Sequence, residues 1–216
     1  MKTTILFLFI TVLLSVNAFA QNEPENKQPQ SLLGGDSKIT GWFVSIDNSF
    51  SRLHDKNVNM PGFSFGMNMN RTFQLGLTGK SFSWYETSLK YDDLYDEPCY
   101  LTGGYGGMYF NIVPQSGKVL HVSIPVIIGG GTADYITVAE YPETDDGEIE
   151  MERRKLEQIP FFAFEPGVNL EMNITGFMKI YSGVSYRLLS GANLSSQSKN
   201  GLNGLNIKLG IQFGKF

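Results

Sequence analysis

The chain is predicted to be all-β: an eight-stranded antiparallel up-and-down transmembrane β-barrel with short periplasmic turns and long extracellular loops. Three observations predict it. Segments of roughly ten residues alternate apolar and polar side chains, the period of a strand with two unlike faces. Short turns alternate with long polar connections along the chain. An apolar, cleavable-looking N-terminus precedes the set. A bilayer admits only helices and closed barrels, because no water reaches its core to satisfy an open backbone.

The N-terminus has the form of a secretory signal. Lys2 is its only charge, an apolar run spans Ile5 to Val16, and Ala18-Phe19-Ala20 supplies an A-x-A cleavage site. The apolar run is shorter than the about 20 residues a spanning helix needs. Residues 1–20 are therefore expected to be a signal peptide, leaving 196 of 216 residues and a mature start at Gln21. No cysteine stands directly after that site, which argues against a lipid anchor. Residues 21–38, polar and carrying Pro24 and Pro29, are expected to be a flexible lead-in; residues 39–216 are assigned to the barrel.

The first strand is expected over Ile39 to Phe50, with Trp42, Val44, Ile46 and Phe50 on one parity and Gly41, Ser45, Asp47 and Ser49 on the other. Ser51 to Pro61 is polar and reads as the first long loop. The second strand, Gly62 to Asn70, alternates Phe63, Phe65, Met67 and Met69 with small or polar residues, and Asn70-Arg71 suggests a two-residue hairpin. The third runs from Thr72 to Trp84; its apolar parity changes after Gly79, as a glycine bulge would make it do. Tyr85 to Cys99 reads as an acidic loop. Cys99, alone in the chain, can form no internal disulfide and is expected to be an inert thiol.

The fourth strand is expected over Tyr100 to Ile112, followed by the turn Val113 to Gly117. The fifth, Lys118 to Ile128, sets Leu120, Val122, Ile124, Val126 and Ile128 against His121, Ser123 and Pro125. Pro125 cannot donate to a ladder, so it requires a bulge or a local break. Gly129 to Ile159 reads as the longest connection. The sixth strand is expected over Pro160 to Met172, the seventh over Gly176 to Leu188, and the eighth over Asn203 to Phe216. In the eighth, Leu205, Ile207, Leu209, Ile211 and Phe213 oppose Asn206, Lys208 and Gln212, and Phe216 falls on the polar parity.

Charge parity decides which face meets lipid. A soluble, lipocalin-like ligand-binding barrel would put the apolar face inside; a membrane barrel reverses this. Lys80, Glu165, Glu171, Lys179, Arg187 and Lys208 share the polar parity of their strands. A lipid-facing Lys or Arg near the midplane costs about 2–4 kcal/mol, so these charges belong in the lumen. With His121 they form an expected structural network of seven lumen residues, in which the charges of the last three strands could pair. An eight-stranded barrel has room for side chains only, so a filled lumen rather than a pore is expected.

Composition agrees with this class. Glycine (24), Phe (16) and Tyr (10) are plentiful, as tight turns and aromatic girdles require. The net charge of −4 becomes −5 without Lys2, and with no basic stripe nucleic acid is excluded as a partner. The glycine runs Gly103–Gly107 and Gly129–Gly131 lack the Lys-Ser/Thr and following helix of a phosphate loop. Asp92, Asp93, Asp96 and Glu97 match no calcium loop spacing and read as a solvated face. No cofactor and no metal is expected. A lipid-modifying membrane enzyme is the alternative function; its candidates are His54 with Asp47 and Ser49 or Ser51, near the top of the first strand.

Several stretches resemble small outer-membrane β-barrel proteins of Bacteroidota: Asp36-Ser37-Lys38-Ile39-Thr40-Gly41, Gly103 to Phe110, Leu120-His121-Val122-Ser123, Gly129-Gly130-Gly131, Glu165 to Asn173, and Ser182 to Arg187. The resemblance implies a barrel in the cell outer membrane and carries no catalytic residue. The expected function is a non-enzymatic structural or accessory subunit, surrounded by outer-membrane lipids, whose extracellular loops contact a larger outer-membrane protein complex.

Overall fold

A computed structural model describes residues 39–53, 56–83, 99–140, 151–191 and 202–216. The expected signal peptide and lead-in, His54, Trp84 and the acidic segments 85–98 and 141–150 lie outside the described residues. Among the described residues the chain forms eight strands: β1 (Ile39–Leu53), β2 (Lys56–Met69), β3 (Phe73–Ser83), β4 (Cys99–Ile112), β5 (Leu120–Glu140), β6 (Met151–Asn173), β7 (Met178–Ser190) and β8 (Gly204–Gly214). Each pairs antiparallel with its neighbour in sequence, and β1 closes on β8 from Phe43↔Gly214 to Ser51↔Asn206. Closure leaves the sheet without an edge along the wall, the condition for crossing a bilayer with strands.

The three short turns sit at one end. Asn70 and Arg71 both adopt left-handed backbone (φ 50° and 59°), and Met69 O accepts from Thr72 N–H at 3.2 Å. Two successive positive φ values define the I′ geometry that matches strand twist. Gln115 turns the chain after β4 (φ 58°), and Met178 O accepts from Ile174 N–H at 3.0 Å after β6. Left-handed backbone costs a β-carbon-bearing residue about 1–2 kcal/mol, a cost asparagine's side chain partly offsets. Asn70→Ala is therefore expected to lower the urea midpoint by the equivalent of about 1 kcal/mol, and Asn70→Gly to leave it unchanged.

The strands run past the expected limits at the opposite, loop end. Ser51–Leu53 and Lys56–Pro61 are not a loop but paired strand, in register from Ser51↔Val58 to Leu53↔Lys56; only residues 54 and 55 separate β1 from β2. Most of the predicted Gly129–Ile159 connection is strand too, paired from Gly129↔Ala163 to Glu140↔Met151. Cys99 begins β4 opposite Thr137 rather than lying in a loop. These stretches hid because their polarity is inverted. Toward the turn end, apolar side chains point outward and polar ones inward. Toward the loop end, Arg52, Asn57, Asn59, Gln158 and Ser190 point outward, while Leu53, Met60, Ile159, Phe161 and Leu189 are buried inside. Where water replaces lipid around a barrel, the favourable arrangement reverses.

The same reversal removes the predicted bulge in β3. Its pairs with β2 and β4 run without a shift from Phe73 to Ser83. Phe82 keeps the inward parity of Gln74, Thr78 and Lys80 and is 2% exposed; the lumen changes chemistry there, not the strand its face. The bulges lie elsewhere, at Leu156 on β6 opposite Tyr135 and Ile136 of β5, and between Ile39 and Gly41 on β1. Pro125 produces a local break: β5–β6 pairs are present at Ser123↔Asn169 and resume at Val126↔Pro166 in unchanged register. Pro166 likewise interrupts β6–β7 between Phe164↔Leu188 and Gly167↔Ser185. A proline has no N–H to give the ladder.

Candidate functional site in the lumen

Alternate residues of every strand point inward, and they stack into three layers. The layer nearest the loop end is apolar: Leu53, Val58, Met60, Phe82, Leu101, Phe161 and their neighbours form a continuous buried cluster. The middle layer converges on Glu165 of β6. Lys80 of β3 donates to Glu165 Oε1 at 2.9 Å and to Ser49 Oγ at 3.2 Å, and lies 3.9 Å from Asp47. Ser185 Oγ donates to the same Oε1 at 2.6 Å, and the Tyr105 hydroxyl donates to Oε2. Asn206 Nδ2 donates to Ser185 Oγ at 3.4 Å, and Asn206 Oδ1 accepts from Arg187 Nη1 at 3.1 Å. Lys208 is 4% exposed on the same layer.

The layer at the turn end is built on Glu171. Its Oε2 lies 3.2 Å from both Lys179 Nζ and His121 Nε2, while His121 Nδ1 faces the Lys118 carbonyl at 3.0 Å. Asn111 donates to Glu171 at 3.4 Å and to Gln74 at 2.9 Å; Gln74 donates on to Asn68 and Gln212. Phe216 turns its ring beneath Lys179, 4.0 Å from the ammonium. Its polar parity thus puts it at the mouth of the lumen, with Phe213 on the outer wall.

The seven sequence-predicted residues Lys80, His121, Glu165, Glu171, Lys179, Arg187 and Lys208 are all 5% exposed or less and all face inward. Their partners differ from the expected ones. Among the described residues, Glu171 and Lys179 are the one pair formed between the predicted charges of β6, β7 and β8; Glu165 takes its lysine from β3, across the lumen. Asp47, singled out in the sequence only as an enzyme candidate, and Tyr105, not singled out at all, also join the network. Asp47 carries inward parity in the sequence, but a tyrosine is compatible with either face of a membrane strand. Glycines make the room: a Cβ at Gly131 would stand 2.7 Å from that of Tyr105, and one at Gly210 would lie 2.4 Å from the Tyr181 ring.

The suggested enzyme candidates do not form a rim site among the described residues. Asp47, Ser49 and Ser51 are buried inside, with Ser49 accepting from Lys80 and Ser51 donating to the Leu205 carbonyl at 3.2 Å.

Outside, the wall is aliphatic and aromatic. Ile46, Phe63, Leu77, Leu170, Val184, Ile207 and Leu209 are 46–62% exposed. A soluble ligand-binding barrel has the opposite arrangement, so that alternative does not fit. An apolar wall around a charged, hydrogen-bonded lumen defines a transmembrane β-barrel of the smallest usual class. Solved structures agree on the fold. Neisserial surface protein A superposes with a TM-score of 0.50 at 9% identity, covering 82% of this chain and 96% of that one. A major outer membrane protein from Thermus thermophilus does so with a TM-score of 0.50 at 7% identity, covering 80% and 99%. No family model and no curated protein matches the chain.

Proposed function

We propose that this chain is a non-enzymatic barrel of the bacterial outer membrane with a filled lumen, acting as a structural or accessory subunit whose loop-end elements contact partners. The carrying observation is the lumen itself: an apolar layer and two hydrogen-bonded layers occupy it in succession. Such an interior supports a wall element rather than a conduit. A protein refolded into planar bilayers is expected to give no conductance steps. Discrete, reproducible openings would overturn the filled-lumen reading.

The contact role draws support from the β5–β6 hairpin. β6 pairs with β7 only as far as Phe162↔Ser190, whereas its pairing with β5 continues to Glu140↔Met151. The hairpin therefore rises past β7 at the loop end. Affinity isolation from native envelopes in mild detergent tests the role. Co-purification of a larger complex is expected, and it should vanish when residues 138–152 are removed while the heat-modifiable gel shift persists. Recovery of the barrel alone from native envelopes would leave a free-standing barrel and refute the accessory role.

The address and processing belong to the same reading. The outward wall fits outer-membrane lipid, and the quoted glycine-rich and Glu165–Asn173 stretches support membership of the Bacteroidota group. N-terminal sequencing of the mature protein is expected to begin at Gln21.

A further inference from the structure

Outward side chains form rows across the wall from β2 to β6. One row reads Phe65, Leu77, Met108, Ile128 and Phe164 and is exposed throughout. The next row toward the loop end also begins and ends on phenylalanine, Phe63 and Phe162, but its three middle positions are Gly79, Gly106 and Gly130. Beyond it, Ser81, Gly104 and Thr132 are aligned on β3, β4 and β5. The row after that, Ser83, Thr102, Asp134 and Gln158, is polar. Membrane barrels carry aromatic side chains at this boundary; here the girdle is interrupted over three adjacent strands.

The interruption is a groove of about 670 Å³, floored by the glycines, walled by Pro61 and Phe63 of β2, and bordered toward the loop end by Ser81 and Thr132. Its volume falls in the range of roughly 300–1,000 Å³ typical of ligand pockets. The space is open: a Cβ at Gly79 would meet nothing within 4 Å, and one at Gly130 would meet a single atom, the Phe161 carbonyl oxygen at 3.1 Å. Among the described residues neither the Ser81 nor the Thr132 hydroxyl has a hydrogen-bond partner. A strand glycine marks a place where a ligand or another backbone approaches closely, and a hydroxyl beside hydrocarbon is costly unless it is bonded.

We infer that the groove holds one acyl lipid of the loop-end leaflet, with a hydrocarbon chain lying over Gly79, Gly106 and Gly130 and an ester or amide carbonyl accepting from the Ser81 and Thr132 hydroxyls. The groove is continuous with the lipid-facing row of Leu77, Met108 and Ile128, so its floor meets hydrocarbon whatever the loops contact. Three successive rows match the parts of such a lipid in order: apolar chain, carbonyl, polar headgroup. In an acyl lipid the carbonyls mark the junction of chain and headgroup, the level at which the two hydroxyls stand. Glycines below them let the chain lie against the backbone and gain dispersion contact. The site requires the transmembrane wall and not the accessory role.

The test is native mass spectrometry of the full chain in mild detergent, stripped of lipid and titrated with dimyristoyl phosphatidylcholine or with its dialkyl ether analogue, which lacks both carbonyls. The ester lipid is expected to stay bound as one molecule per barrel, and the ether analogue to bind about tenfold more weakly, the worth of two net hydrogen bonds. Gly79→Leu, which sends a side chain into the groove without meeting the backbone, should abolish retention of both. Ser81→Ala with Thr132→Val should bring the ester lipid down to the level of the ether. Val184→Leu, outward on β7, should change nothing, and the heat-modifiable gel shift checks that each variant is folded. Equal retention by Gly79→Leu and the unaltered chain overturns the inference, as does equal retention of ester and ether lipid. So does a second copy or another protein that is retained from native envelopes and released by Gly79→Leu, which would assign the groove to a protein partner.

Discussion

Glu165→Gln is expected to destabilise the barrel by about 3–5 kcal/mol, because it removes the charge on which the middle layer converges and leaves Lys80 buried without its close partner. Besides Ser49 Oγ, Lys80 Nζ would keep as its carboxylate partner Asp47, at 3.9 Å, in place of one at 2.9 Å. Ser185 and Tyr105 would meet an amide that can no longer accept at both positions. The measurement is the urea midpoint in bilayers, read by the heat-modifiable gel shift. A second variant separates a pair from a merely crowded site. Glu165→Gln with Lys80→Met removes both charges, and replacing a whole buried pair is often neutral or stabilising. The double variant should recover most of the loss; equal damage from the double and the single would show that Lys80 and Glu165 are not energetically coupled.

Leu209→Arg is expected to cost about 2–4 kcal/mol, the penalty for a guanidinium on the lipid face near the midplane. Leu209 is 55% exposed on β8, between Leu205 and Phe213 on the same face. Gln158→Arg, also outward but at the loop end of β6, should change stability by no more than about 0.5 kcal/mol. The contrast matters more than either value. Both positions are exposed on the same wall, so a barrel standing in water would tolerate both substitutions alike. Unequal penalties in bilayers would place the lipid boundary between them, as the exchange of polarity along β6 requires. Equal penalties would refute that boundary.

Much of the wall was legible because a strand's period is two and a barrel wall has only two faces. Phe63, Phe65 and Met67 against Ser64, Gly66 and Asn68 sufficed to assign β2 its faces. The same reasoning failed where the surroundings change along a single strand. Met60 and Val58 carry the apolar character expected of an outward residue, yet they face inward beyond the lipid. Reading apolar as outward throughout turned Ser51–Pro61 into a loop and Phe82 into evidence for a bulge. Parity was continuous; the solvent around it was not.

Local pattern alone assigns the strand faces at lipid level, the two-residue turn at Asn70-Arg71 and the inward side of seven charged or titratable residues, since each follows from neighbours within a few positions. Which side chains meet follows from the closed barrel and from nothing local. Lys80 and Glu165 are 85 residues apart, and Arg187 reaches Met60 across 127. Those meetings depend on closure of β1 on β8 and on ladder register around the whole barrel, which no local pattern records. Closure also left Arg187 among neutral partners, because a strand can dictate that a side chain points inward but not what will be waiting there.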